Sequence, residues 1–244
     1  MVITSCGRRD LLDKTISSLM DTDWGEFSNK IIIEDSGDAE MNEYLHDRYH
    51  DVFDLILCNE RNLGKHASID KAYSYVETEY VFHCEDDWFF YRKGFVRDSL
   101  TVLENCPAVS MVGLRSFYWD YLKHHAQFAI KERYVVECVP YYTILDESPK
   151  NPMNGYSLNP GLRRLEDVRR MGSHAELGGE YRFSAYFLAR NMEMVVLENA
   201  AVDHIGWGRG LNDPKMGKYL QIKKLKNLAK AILNLFGANY ILHN

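Results

Sequence analysis

The feature that most constrains this chain is an alternation in its first hundred residues. Short runs rich in β-branched residues take turns with segments whose apolar residues recur at helical spacing. Val2 to Ser5 has the composition of a strand, and Leu11, Leu12, Ile16 and Leu19 then repeat along one helical face. The pattern continues with a strand over Lys30 to Ile33, a helix over Glu40 to His50, and a strand over Asp54 to Leu57. A helix over Ser68 to Val76 and a strand over Glu79 to Cys84 follow. Strands that alternate with helices imply right-handed crossovers and an open, mostly parallel α/β sheet with helices on both faces. In such sheets ligands bind beyond the carboxyl ends of the strands. The residues there are Ser5-Cys6-Gly7-Arg8-Arg9, Glu34-Asp35-Ser36-Gly37-Asp38, Asn59-Glu60-Arg61-Asn62 and Glu85-Asp86-Asp87.

The second half is less regular. A helix ending near Asn105 leads into a strand over Ala108 to Leu114, an aromatic stretch from Phe117 to Tyr121, and a strand over Tyr134 to Val139. Pro149, Pro152 and Pro160, with Gly155 and Gly161, predict a long loop between Asp146 and Gly161. A helical segment beginning around Glu176 or Gly179 runs to about Arg190, and strands follow over Met194 to Leu197 and Ala201 to Ile205. At 244 residues the chain suits one domain of two joined halves, 1–110 and 111–210, with a tail over 211–244.

Charge separates the tail from the rest. The net charge of −6 removes the basic footprint of a nucleic-acid binder. Six lysines and no acids follow Asp213, whereas residues 1–213 hold 23 basic against 35 acidic residues and carry −12. Along Leu220 to Phe236, Leu225, Leu228, Ile232, Leu235 and Phe236 fall on one helical arc, and Lys223, Lys226 and Lys230 on another. This basic amphipathic helix has three candidate resting places: the chain's own acidic body, a second subunit in a homo-oligomer, or an anionic membrane surface. Five singly spaced cysteines argue against a zinc knuckle or a disulfide framework. The first residues lack a basic stretch followed by an apolar one, and no apolar run approaches the roughly 20 residues of a membrane span. A cytoplasmic protein is expected, with peripheral contact at the inner membrane face if the tail binds lipid.

Glu85, Asp86 and Asp87 stand between Cys84 and Trp88-Phe89-Phe90. Three adjacent carboxylates among apolar residues repel one another and lose hydration, so they call for a cation. Mg²⁺ or Mn²⁺ bound to a diphosphate supplies one, since such ions take one or two protein carboxylates and fill the other positions with phosphate and water.

The combination of ITSCGRRDLLDKTISSL, IIIEDSGD, NERNLGKHASIDKAYSYVETEYVFHCEDDWFF and DHIGWGRG resembles the family 2 glycosyltransferases of the GT-A fold. These enzymes move a sugar from a nucleoside diphosphate to an acceptor hydroxyl. The resemblance covers Val2 to Leu100 strongly and Ser157 to Arg209 more loosely. It implies a nucleotide-sugar-binding half over 1–110, an acceptor-binding and catalytic half over 111–210, and a UDP-sugar donor in preference to a GDP-sugar.

On the resemblance, Asp35, beside Glu34, contacts the nucleobase, although a turn or helix-cap role fits Asp35 equally. Ser5, Arg8 and Arg9 of the first loop meet the nucleotide, and Asn62 to Lys65 lie against the uridine and ribose. Glu85-Asp86-Asp87 stands at the family's DxD motif. Asp87 then binds the metal, and Glu85 or Asp86 reaches the ribose or a metal-bound water; the leading Glu departs from the usual Asp. His204 is implied as a metal ligand, and Arg209 with the amides of Gly206 to Gly210 as the neutraliser of the departing diphosphate.

Inversion at the anomeric carbon needs a carboxylate to take the acceptor proton. The family places it at a helix start, eleven residues before a Gly-like turn. Counting back from Asn191 gives Glu180, with Glu176 in reserve. The loop Asn154 to Asp167, with Trp119, Tyr121 and Tyr156, would shape the site of a carbohydrate or glycolipid acceptor, and Arg163 or Arg164 would meet an anionic group on it. Two other readings compete. A sugar nucleotidyltransferase-like enzyme wants a glycine-rich basic loop where SCGRRD has one Gly. A catalytically weak nucleotide-sugar-binding module has no need of Asp87, Glu180 and His204 together.

Overall fold

The structure is a computed structural model and describes residues 1–121, 127–147, 152–207 and 209. The basic segment Leu220 to Phe236, together with Gly208 and Gly210, lies outside the described residues. The strands are β1 (Val2–Ser5), β2 (Ile31–Glu34), β3 (Leu55–Cys58), β4 (Tyr80–Glu85), β5 (Trp88–Phe90), β6 (Val109–Gly113), β7 (Phe128–Val136), β8 (Val139–Asp146), β9 (Gly161–Arg164), β10 (Glu193–Leu197) and β11 (Val202–His204). The helices are α1 (Arg9–Met20), α2 (Ala39–Tyr49), α3 (Lys65–Tyr73), α4 (Phe95–Asn105), α5 (Leu165–Met171), α6 (His174–Leu177) and α7 (Glu180–Leu188).

Among the described residues one sheet runs in the order β3-β2-β1-β4-β9-β6-β10-β8-β7, and β5 pairs with β11 in a separate ribbon. The block β3-β2-β1-β4 is parallel, as the alternation predicts. Its strands are apolar on both sides because each face is covered. Ile3 and Ile32 join Leu12, Ile16 and Leu45 on one face, and Val2, Ile31 and Ile33 join Ile69 and Ala72 on the other. Each buried Ile, Leu or Val among these contributes about 1.5–3 kcal/mol relative to exposure. No helix among the described residues is long and apolar enough to cross a membrane.

Two expectations are corrected and a third is narrowed. The predicted strand Tyr134–Val139 is a hairpin: Glu137 and Cys138 take φ of 45° and 69° and turn β7 into β8. This two-residue turn uses left-handed backbone at residues that carry no Gly or Asn signal. The predicted loop Asn154–Asp167 ends in β9, which enters the sheet antiparallel to both β4 and β6. Gly161 allows it, because a Cβ there would lie 2.4 Å from the Val112 carbonyl oxygen. Of the two starts expected for the next helix, Glu176 and Gly179, the structure takes the second as α7, and the short α6 before it is set apart at Gly178 (φ 74°) and Gly179.

Asp70 of α3 fastens the start of α6, ahead of that break. Its carboxylate accepts from Ser173 Oγ (2.7 Å), from the His174 and Ala175 N–H groups (2.9 and 3.0 Å), and pairs with His174 Nδ1 (2.6 Å). Burial opposes its charge, but these contacts outweigh burial and hold its pKa well below the ordinary carboxylate range. A carboxylate depressed in the folded state adds stability that is full above the unfolded value of about 3.9 and fades as pH falls through the folded one. Asp70→Asn is expected to cost about 1–3 kcal/mol at pH 7. The gap from wild type should narrow below pH 4, as denaturant unfolding at both pH values will show.

Candidate active site

The cleft sits where the topology puts it, beyond the carboxyl ends of β1, β2, β3 and β4. It encloses about 480 Å³ and is lined by, among others, Ser5, Arg8, Asp35, Asn62, Lys65 and Glu85. Asp35 accepts from the N–H groups of Leu63 (2.8 Å) and Gly64 (2.9 Å) and from Asn59 Nδ2 (2.8 Å). It thereby fixes the turn that starts α3 at Lys65, three residues before the expected Ser68. The turn role of Asp35 is thus seen directly, and its place in the cleft wall is kept.

The three acids separate into different roles. Asp86 is 1% exposed and accepts from Ser5 Oγ (3.2 Å), the Cys6 N–H (3.3 Å) and Arg8 Nε (3.3 Å) and Nη2. Burial pushes its pKa up to about 6 against the pull of Arg8. Arg8 also donates Nη1 to Asp87 Oδ2 (2.8 Å), so one guanidinium ties the two acids together. Of the pair offered to the ribose, Asp86 is the more buried, held by Ser5 and Arg8, and Glu85 stands beside Lys65; both line the cleft.

Asp87 is brought to His204 by the β5–β11 ribbon. His204 is paired with Trp88, and the Ile205 N–H donates to the Asp87 carbonyl at 2.9 Å. α1 holds β5 from the other side, with Thr15 Oγ1 and Ser18 Oγ accepting from the Trp88 and Phe90 N–H groups at 3.0 Å each. His204 Nε2 then lies 3.2 Å from Asp87 Oδ2, with its ring against Trp88 and Trp207. Burial raises the Asp87 pKa, but His204 and Arg8 overcome it and hold the carboxyl below its usual range.

Glu180 opens α7. Its Oε2 accepts from the Leu158 N–H (3.1 Å) and Ser157 Oγ (3.3 Å), and its Oε1 from Lys65 Nζ (3.3 Å). Lys65 Nζ also reaches Glu85 Oε1 at 3.3 Å, so a single ammonium links the acid cluster to the helix start. Burial alone would raise the Glu180 pKa; Lys65, the Leu158 amide and Ser157 instead lower it. Glu176 is exposed, its own N–H bonded to the cap Ser173, and the structure does not bring it to this cluster. Asn191, the counting mark for Glu180, has a Gly-like φ of 56°.

Several site expectations fall elsewhere. Tyr156 and Arg163, offered to the acceptor, are both 0% exposed. Tyr156 stacks on Phe187 with ring centres 5.1 Å apart. Arg164 donates to the Val109 (2.8 Å) and Cys106 (3.2 Å) carbonyls, and Arg9 lies over the Tyr44 ring. Trp119 is 70% exposed. Arg209 forks onto Asp10 of α1 (2.6 and 2.9 Å), an exposed pair that solvent screens, rather than pointing into the cleft. Sequence reasoning missed Arg115 and Asp120, a buried pair at 2.7 Å whose members carry no motif. Arg115 lines a second cavity of about 220 Å³ with Gln127, Phe128, Met153, Asn159 and Glu180. Glu180 therefore stands on its wall as well as in contact with Lys65 of the first cleft.

No family model matches the chain, and no curated protein matches it in sequence. Solved structures do. The mannosyltransferase PcManGT from Pyrobaculum calidifontis, in complex with GDP-Man and Mn²⁺, matches with a TM-score of 0.58 at 12% identity, over 99% of this chain and 76% of that one. S. aureus TarS matches with a TM-score of 0.56 at 15% identity, over 96% of this chain and 39% of that one. GalNAc-T7 with UDP, GalNAc and Mn²⁺ gives 0.56 at 11% identity, over 95% and 47%. The chain has the GT-A fold. It spans about two-fifths of the length of TarS and under half that of GalNAc-T7.

One glycine of this GT-A site admits no side chain. A Cβ on Gly206 would lie 2.3 Å from Asp87 Oδ2 and 2.7 Å from Asp87 Cβ. Gly206→Ala is expected to push Asp87 off His204 while the sheet folds normally. Misplacement on this scale costs a reaction about 10²-fold in rate, and a loss of that order is expected in turnover beside an unchanged Tm.

Proposed function

We propose that the chain is a metal-dependent, inverting glycosyltransferase of the family 2 kind. It takes its sugar from a nucleoside diphosphate donor, UDP-linked in preference to GDP-linked, and delivers it to a carbohydrate or glycolipid hydroxyl in glycan synthesis. The observation that carries this reading is the bridge through Lys65, which joins Glu180 to the end of β4 where Asp86 and Asp87 stand. Lys65 of the first cleft thus links a carboxylate fit to take a proton with a cluster fit to hold a diphosphate. The mannosyltransferase structure holds GDP-Man and Mn²⁺, and the GalNAc-T7 structure UDP and Mn²⁺, which supports the donor class and leaves the base a preference.

The metal is tested by the donors present. Asp87 Oδ1 is buried without a hydrogen-bond partner, and Oδ2 faces His204 Nε2. The carboxylate suits Mn²⁺ or Mg²⁺, and an imidazole beside it favours the softer Mn²⁺. Among the described residues no group of three or more His, Cys, Asp or Glu is set to hold an ion alone, so the other positions fall to phosphate and water. When bound, the ion neutralises the leaving diphosphate. Glu180, held ionised by Lys65 and the Leu158 amide, accepts the acceptor's hydroxyl proton. The acceptor oxygen then bonds to the anomeric carbon as the carbon–oxygen bond to phosphate breaks, and its electron pair leaves with the diphosphate.

A panel of UDP- and GDP-sugars incubated with the protein and Mn²⁺ tests the reading. Slow release of UDP or GDP from one donor, abolished by EDTA, is expected. Donor binding without release, with or without acceptor sugars, would leave a binding module; absence of both would remove the reading.

A further inference from the structure

Arg163 presents a physical puzzle that the proposed chemistry does not use. Its guanidinium is 0% exposed, and among the described residues no carboxylate lies within salt-bridge distance of it. A buried charge without a counter-ion is costly unless hydrogen bonds replace its hydration. Arg163 Nη1 donates to the Tyr73 hydroxyl at 3.0 Å, and Nη2 to the carbonyls of Ser157 (3.4 Å) and Asn159 (3.2 Å). Its plane lies 5.2 Å from the centre of the Tyr156 ring. Strand β9 anchors it from behind, with Arg163 in register with Val81 of β4 and Met111 of β6.

The Ser157 carbonyl that receives Arg163 and the Leu158 N–H that holds Glu180 Oε2 belong to one peptide group. The guanidinium therefore pulls on the oxygen end of a dipole whose hydrogen end points at the carboxylate, and bonds in such a chain strengthen one another. The Asn159 N–H, donating to Ser157 Oγ at 3.1 Å, closes the same turn and aims that hydroxyl at Oε2. We propose that Arg163 is a positioning residue for Glu180, acting through the Ser157–Leu158 peptide, which it fixes and polarises from inside the core. The proposal rests on the reading of Glu180 as the base. Its structural half, the coupling of Arg163 to the Glu180 carboxylate, stands apart from turnover.

The charged and titratable groups that face Glu180 are Lys65 and His66 on α3, Glu85 at the end of β4, Arg115 across the second cavity, Tyr156, and Arg163 itself. None but Arg163 grips the peptide. Arg163→Lys keeps the charge but, with a single ammonium, does not span Tyr73 and two carbonyls. Tyr73→Phe deletes only the hydroxyl that seats Nη1 and is the milder change should the lysine variant not fold. Carbon-13 NMR of glutamate-labelled full chain, with Glu180 assigned from Glu180→Gln, reads the carboxyl directly. Both variants are expected to titrate Glu180 at higher pH than wild type. They should also lower kcat about tenfold or more, with little change in donor KM, and move the acidic limb of the kcat profile upward.

A folded Arg163→Lys with an unmoved Glu180 titration overturns the proposal. If only the milder variant folds, an unmoved titration in Tyr73→Phe does the same. If the titration moves while Glu180→Gln transfers sugar normally, the positional coupling holds and the base assignment fails.

Discussion

Glu180→Gln is expected to leave donor binding intact and to cut sugar transfer by the roughly 10²–10⁴-fold typical of a lost general base. The amide keeps the shape of the side chain, and its oxygen still accepts from the Leu158 N–H and Ser157 Oγ that hold Oε2. It has no lone pair basic enough to take the acceptor proton. Its NH₂ end meets Lys65 Nζ donor to donor, and the ammonium is expected to settle on Glu85 alone. Because Lys65 and the loop hold the Glu180 pKa below its ordinary value, the base is ionised throughout neutral pH. Wild-type rate limited by this group is therefore flat around pH 7 and falls only on acidification through that lowered pKa. Glu176→Gln, on an exposed residue, is the control and should transfer normally. Steady-state transfer beside calorimetric donor binding for the two variants checks the pair of expectations.

The second large effect is at Asp87. Asp87→Ala removes the carboxylate that meets both His204 and Arg8, the one acid of the cluster with a buried, unpartnered oxygen. Changing groups around a metal's ligands already costs 10–100-fold in metal affinity or activity, and loss of a ligand is expected to cost at least about 100-fold in Mn²⁺-dependent UDP binding. Calorimetry of UDP with Mn²⁺, and again with EDTA, reads it. Wild type should lose affinity on chelation, and the variant should already sit at the chelated level. Undiminished binding by Asp87→Ala with the metal present would remove Asp87 from the site.

The parallel half was legible because both of its periodicities are local. Ile31 to Ile33 between polar residues, and Leu11, Leu12, Ile16 and Leu19 along one face, need no distant partner to be read. The strand-end rule then led to Arg8, Asp35 and Glu85, and the resemblance to Lys65, all of which the cleft gathers. What escaped depends on partners far along the chain. Gly161–Arg164 has none of the β-branched residues that announce a strand, and it is one only because β4 and β6 present open edges on either side. Arg163 and Tyr156 have the composition of a sugar subsite, yet Tyr73 and Phe187 draw them inside. Arg209 has the character of a phosphate ligand, and Asp10, 199 residues away, engages it. The β7–β8 turn was hidden for the opposite reason: Glu137 and Cys138 adopt left-handed backbone without the residue types that usually signal it.

The insertion of β9 also orders events in time. As the chain leaves the ribosome, β1 to β4 can pair among themselves, but the far edge of β4 stays open until Gly161–Arg164 arrives. That edge is Tyr80 to His83, nearly all of it buried in the finished sheet, and for some eighty residues of synthesis it is a bare template for any other strand. A fragment stopped at residue 110 would keep it so permanently. The half over 1–110 is therefore expected to expose that edge when cut free. Its last partner is encoded in the other half, and the newborn chain is most exposed to aggregation just before that partner is made.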